Sequence, residues 1–178
     1  MERYILLLRG INVGGHHKLP MKDLKLEMEK LGMHCIATIL NSGNAVFEYK
    51  KEKIPKIEEL ISSHLEKVFG FPVPSIVRTQ KEIQSASEED CFDKVDLKRE
   101  RHQYISFSKN KLKSEIKLPW KSKDESFEIL KVNDKEIFSI LYLDKGKSVK
   151  GMEELEKIFG KDLTTRNLNT VQKLSVIK

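Results

Sequence analysis

Residues 35–49 read Cys35-Ile36-Ala37-Thr38-Ile39-Leu40-Asn41-Ser42-Gly43-Asn44-Ala45-Val46-Phe47-Glu48-Tyr49. Two short runs rich in β-branched, aliphatic and aromatic residues, 35–40 and 45–49, flank four residues whose Asn and Gly tolerate positive φ. The stretch therefore predicts a β-hairpin. On its N-terminal side Met21, Leu24, Met28 and Leu31 recur at 3, 4 and 3 residues, and Gly32 follows where a left-handed C-cap residue belongs. That spacing predicts an amphipathic helix. On the other side Ile54, Ile57, Ile61, Leu65 and Val68 repeat at 3, 4, 4 and 3 before Gly70, giving a second helix with Lys56, Glu58 and Glu59 facing water. A strand at each end, over 3–9 and 73–78, completes the order β-α-β-β-α-β of a ferredoxin-like sandwich, an antiparallel sheet with both helices on one face. Thr79-Gln80-Lys81-Glu82 then offers a capping box for a short linking helix.

The theme repeats further on without evident sequence identity. A strand near Gln103–Ser108 is followed by a basic stretch, a hairpin of Phe127–Val132 and Glu136–Leu143 about Asn133-Asp134, and a helix carrying Met152, Leu155 and Phe159. A final helix is expected from about Thr165 to Leu174. The chain thus reads as an α+β protein of two tandem ferredoxin-like halves: residues 1–86, a charged linker over 87–101, and residues 102–178.

Composition removes several function classes. Apolar residues make up 39% of the 178, enough with this periodicity to build a core. Met1-Glu2-Arg3 followed by Tyr4–Leu8 is too short for a signal peptide, and no apolar run approaches the roughly 20 residues of a membrane span. A cytoplasmic protein without a membrane partner is expected. Cys35 and Cys91 lack CxxC spacing, and His16 and His17 are adjacent instead of four apart, so no metal site is expected. The net charge of +6 comes mostly from scattered lysines. The densest exception runs from Lys109 to Lys123 with Trp120 interleaved. An aromatic among cations can stack on a base, but Leu112, Ile116 and Trp120 recur at helical spacing, which predicts an amphipathic helix with Trp120 packed inward.

The expected topology brings two polar loops together. A right-handed crossover makes the first two strands parallel, so the loops that follow them leave at one edge. Arg9, Asn12, Gly14 and Gly15 belong to one loop and Asn41, Ser42 and Asn44 to the other. Amide, guanidinium and backbone N–H groups gathered there suit an anionic or polar small ligand. The glycines are not a phosphate loop, because its Lys-Ser/Thr pair is absent. On the last expected helix Leu168, Val171 and Leu174 share one side, while Arg166, Asn169, Thr170 and Lys173 share the other, a stripe suited to a carboxylate or phosphate. Thr164 or Thr165 would cap that helix.

The segments Leu8-Arg9-Gly10-Ile11-Asn12-Val13-Gly14-Gly15, Leu40–Phe47 and Thr164–Val171 resemble the bacterial family called domain of unknown function 1697, over the whole chain. The position of Leu168 is commonly Trp in that family, and no aromatic role carries over there. The resemblance implies paired ferredoxin-like units and adds weight to the three motifs. It brings no reaction and no cofactor.

Three functions compete on these residues. The first is a pocket for a small anionic or polar ligand at 9–15 and 41–44 with the C-terminal helix; no Ser-His-Asp spacing or paired carboxylates accompany it, so no catalytic residue is assigned. The second is an RNA-binding module on the basic surface. The third strand keeps the Gly of the RNP1 pattern at Gly43 but has Ser42, Asn44 and Val46 where a cation and stacking aromatics belong, which argues against base stacking on the sheet. The third is a regulatory or assembly protein.

Overall fold

A computed structural model describes residues 1–93, 95, 100–113, 115–143 and 150–177, with the side chains of Lys150 and Met152 left aside. Along the chain run β1 (Glu2–Leu8), α1 (Met21–Lys30), β2 (His34–Ile39), β3 (Asn44–Tyr49), α2 (Ile54–Phe69), β4 (Ser75–Thr79), α3 (Gln80–Ser87), a 3₁₀ turn (Asp90–Phe92), β5 (Arg101–Ser108), β6 (Trp120–Lys121), β7 (Phe127–Val132), β8 (Glu136–Tyr142), α4 (Lys150–Phe159), β9 (Leu163–Asn167) and α5 (Leu168–Val176). The fold is mixed α+β, with antiparallel sheets of four and five strands. No helix among the described residues is long and apolar enough to cross a membrane. Two compact units emerge, Met1–Gln84 with Leu174–Lys178, and Ser85–Lys173. The stretch expected as a linker, 87–101, includes the 3₁₀ turn with buried Phe92, and its residues 94 and 96–99 lie outside those described.

In the first unit the strand order is β2-β3-β1-β4. Strand β1 pairs antiparallel with β3, Leu6 opposite Ala45, and with β4, Leu6 opposite Val77. Its even residues Tyr4, Leu6 and Leu8 join a core with Leu24 and Met28 of α1 and Ile57, Ile61 and Leu65 of α2. Ile5 and Leu7 on the opposite face are fully buried too. Burial of both faces is why this strand reads as an unbroken apolar run and not as an alternation. Helix α1 closes as its sequence predicts: the N–H of Met33 returns to Met28 O and that of Gly32, at φ 78°, to Glu29 O, the Schellman arrangement.

Strand β4 is an edge, and an edge presents every second N–H to whatever lies beside it. Each of these donors meets a side chain: Ser75 N donates to Ser62 Oγ at 3.2 Å, Val77 N to Glu58 Oε1 at 2.9 Å and Thr79 N to Glu82 Oε2 at 2.7 Å. Glu58, expected to face water, is instead buried, because its carboxylate takes the place of a missing neighbouring strand. The capping box forms in full, with Glu82 N donating to Thr79 Oγ1. Two carbonyls of the C-terminal segment, Ser175 O and Ile177 O, accept from Gln80 Nε2.

The second unit has the order β6-β7-β8-β5-β9. Its β7–β8 hairpin turns where expected, with Asn133 N donating to Glu136 O. Two expectations are corrected here. The basic stretch forms no helix among its described residues. In a helix Leu112 N would bond back within its own segment; instead it donates to Asp134 O at 2.7 Å, and Lys109 N donates to Asp162 O. Pro119 lacks a donor and biases Leu118 away from helical backbone. Leu112, Ile116 and Trp120 still pack inward, against a core of Phe127, Ile129, Ile137, Leu155 and Leu163, with Trp120 in β6 opposite Ile129. No helix therefore stands between β5 and β7 in the described residues, and an added edge strand occupies part of that connection.

The second correction concerns the C-terminal motif. Residues 163–167 are strand β9, paired with β5, and the helix begins only at Leu168. Its cap is Asn167, whose Oδ1 accepts from Asn169 N at 2.9 Å, in place of Thr164 or Thr165. Thr165 Oγ1 meets Ser106 Oγ at 2.7 Å across the strand pair instead. Helix α4 reaches its sheet at Gly151, where a Cβ would stand 2.5 Å from the Phe127 ring.

Truncating Glu58 to Ala strands the buried Val77 N–H, so urea unfolding should show a loss of about 1–3 kcal/mol with an unchanged m-value; a loss below ~0.5 kcal/mol, the scale of an indifferent surface change, would refute the edge role. Glu27 of α1 accepts hydrogen bonds from Lys30 at 2.6 Å and from His64 of α2 at 2.8 Å. These two, Lys30 foremost, hold its carboxyl below the usual 4.5. A carboxyl depressed in the folded chain adds stability that is complete above its ordinary value and vanishes as pH falls through the folded one. Glu27→Gln should thus flatten the acid side of the stability curve, measured by urea unfolding from neutral pH to about pH 3.

Candidate functional site

Strand β1 ends between two neighbours: Leu8 N donates to Gly43 O at 2.8 Å and Arg9 N to Pro74 O at 3.0 Å. Beyond it the chain does not form an open glycine loop but a small hairpin. Asn12 N donates to His17 O, His16 N to Val13 O, and Gly14 and Gly15 have φ of 59° and 79°. Successive positive φ values are the requirement of a tight type I′ hairpin turn, which glycine meets without strain.

Asn12 organises this rim. Its Nδ2 donates to Leu19 O at 2.9 Å and to Asn41 O at 2.8 Å, and its Oδ1 accepts from Leu19 N at 2.8 Å. One carboxamide therefore closes the first loop on itself and ties it to the second. Asn12 adopts φ 54°, a left-handed conformation Asn accepts more readily than most residues. His17, which the sequence shows only as a poor zinc ligand, braces the base: its ring stacks on Phe71 at 4.7 Å and its Nδ1 lies 3.2 Å from Gly10 O. Nothing in its spacing announces that role.

The second loop is equally constrained. Asn44 is buried, with Nδ2 donating to Ile39 O at 3.0 Å and Ser42 Oγ at 2.9 Å. At Gly43, φ 74°, a Cβ would lie 2.7 Å from both Ile11 Cδ1 and Leu8 Cβ, so only glycine lets this turn close on the end of β1. Leu40 sits at φ 59° and is largely exposed. A bulky residue held left-handed is an outlier, and such strain gathers where a loop has work to do.

The expected residues divide accordingly. Arg9, Asn12, Gly14, Gly15, Asn41 and Ser42 lie in these two loops of the first unit, joined through the Asn12–Asn41 bond, and Asn44 opens β3 directly after the second. The carboxamides of Asn12 and Asn44 are engaged with the protein, whereas Asn41 and Ser42 are exposed and Arg9 half-buried. Arg166, Asn169 and Thr170 belong to the second unit. Arg166 is not on an outer helical stripe: it lies in β9, buried, with Nη1 donating to Thr164 Oγ1 at 2.7 Å and Thr165 O at 2.9 Å. Desolvation pushes its guanidinium down to about 10.

No group of three or more His, Cys, Asp or Glu among the described residues is placed to hold a metal ion. Cys35 is exposed, and burial pushes the Cys91 thiol up to about 11, far from a reactive thiolate.

Among solved structures, the chain is similar to the conserved bacterial protein SP0830 from Streptococcus pneumoniae, with a TM-score of 0.67 and 21% identity over 98% of this chain and 97% of that one. At that identity the likeness speaks for the fold. No curated protein matches the chain. The model of a family described as "Protein of unknown function (DUF1697)" matches residues 1–138, a span that holds both rim loops and stops short of the motif at Thr164–Val171. By that match the chain belongs to the DUF1697 family.

Proposed function

We propose that the rim formed by the loops 9–19 and 40–44 binds a small anionic or polar ligand. The observation that carries this reading is the Asn12 carboxamide, which holds both loops at a set separation through bonds to Leu19 and Asn41. A rim ordered in advance loses little conformational freedom when a ligand arrives. Arg9 supplies the fixed charge and the exposed Asn41 and Ser42 the hydrogen-bonding groups. Gly14 and Gly15 add backbone N–H groups that have no acceptor among the described residues. Asn12 and Asn44 are struts in this scheme and do not themselves touch ligand. Arg166, Asn169 and Thr170 take no part in it.

The same reading treats the first unit as a ferredoxin-like sandwich, supported by its order β2-β3-β1-β4 with α1 and α2 against one face. It treats the second as a relative that keeps the order β7-β8-β5-β9 while exchanging its first helix for β6. An RNA-recognition role on the first sheet is disfavoured because the Asn44 carboxamide, at a base-stacking position, is bonded into its own turn.

The test is a thermal-shift panel of nucleoside monophosphates, sugar phosphates and dicarboxylates. A binder at a hundredfold excess over its Kd should stabilise by about 2.7 kcal/mol. Arg9→Ala should weaken it about tenfold or more, the worth of a charge-assisted hydrogen bond. Asn41→Ala should weaken it several-fold and Lys123→Ala not at all. A binder indifferent to both Arg9→Ala and Asn41→Ala would place the site elsewhere.

A further inference from the structure

The second unit holds a groove of about 680 Å³ between β6 with its following turn and α4. Trp120, half-buried, lines it beside Lys121 and Lys123 from one wall and Glu153, Glu154 and Lys157 from the other. Most of these charges already have partners. Glu154 accepts from Lys157 at 2.8 Å, and Lys121 lies 3.9 Å from Glu128 Oε1. The turn's carboxylate, Asp124, accepts through Oδ1 from Ser122 Oγ, Ser126 Oγ and Ser126 N, which closes the turn under it. Lys123 on the turn and Glu153 on the helix are exposed and make no hydrogen bond or close ion pair among the described residues. Glu153 acts on Lys157 only at longer range, so the helix wall keeps one net negative charge and the turn wall one net positive charge.

From this geometry we infer that the groove is a binding site for a short zwitterionic peptide, its carboxylate at Lys123, its ammonium at Glu153 and its apolar side chains over the Trp120 ring. Charge complementarity selects this class. The lining holds three lysines and three carboxylates, so a polyanion such as single-stranded nucleic acid meets no net positive surface. A molecule with one charge of each sign meets an opposite charge on each wall. An indole offers an apolar face for what lies between. The volume falls in the range of sites for ligands of several residues' size and is too large for a lone ion.

The chain contains one tryptophan, Trp120, so its fluorescence reports directly on this groove. The probe is leucyl-leucine with free ends, set against its N-acetyl, C-amide and doubly blocked forms, with uridine monophosphate as the nucleotide arm. The free dipeptide should change Trp120 emission saturably. Each block should weaken binding about threefold, the scale of an exposed ion pair, and both together about tenfold. Lys123→Ala should erase the difference between free acid and amide, and Glu153→Ala that between free amine and N-acetyl, while each leaves the other difference intact. Both side chains are exposed, so the variants retain the fold. No saturable change, equal binding by the doubly blocked peptide, or tighter binding by uridine monophosphate would each overturn the assignment.

Discussion

A strand buried on both faces must have both of its edges paired, because no water reaches a backbone group left over. Strand β1 is under that constraint, with Tyr4 to Leu8 removed from solvent on either side. It therefore lies between β3 and β4, the two strands furthest from it along the first unit, and the helices α1 and α2 are the crossovers that this pairing demands. The rim follows from the same fact. Once β1 and β2 run parallel, the loop leaving one and the turn leaving the other emerge side by side, and Asn12 needs only its own length to join them.

Closing the centre of a sheet moves the problem to its margins. The first unit answers it at β4 with side chains: Ser62 and Glu58, one turn apart on α2, present two oxygens at the spacing of two strand residues, and Glu82 of the capping box supplies a third. A helix thus completes the sheet it packs on. The second unit does so differently, with the short strand β6 added outside β7. That addition uses the segment which, in the first unit's pattern, would have been helix.

Legibility in the sequence tracked how local each signal is. The hairpin at 35–49, the Schellman end at Gly32 and the capping box at Thr79–Glu82 could be read because each is written in a few consecutive residues obeying one turn or cap geometry. Residues 109–123 misled because Leu112, Ile116 and Trp120, four apart, satisfy a helix, while the contrary information lies in Asp134 and Asp162, far along the chain. Strand β9 escaped because an edge strand of Thr, Arg and Asn carries little apolar alternation, and because burial of Arg166 among hydroxyls and carbonyls has no compositional signature. Glu58 reads as a solvent residue until the N–H it serves is known. At the rim, the residue types and their meeting were legible from topology; the split between struts and exposed groups was not, since Asn12 and Asn41 are the same amino acid with opposite tasks.

The bonds from Gln80 to Ser175 and Ile177 give the order of synthesis a structural meaning. The first unit numbers Leu174–Lys178 among its residues, while everything from Ser85 to Lys173 belongs to the other. At a ribosome adding roughly 5–20 residues per second, about 5 to 20 s separate the appearance of Gln80 from that of its acceptors. Throughout that interval the Gln80 amide lacks the two carbonyls that receive it in the finished chain, so the first unit is complete only when the last residues to be made are in place.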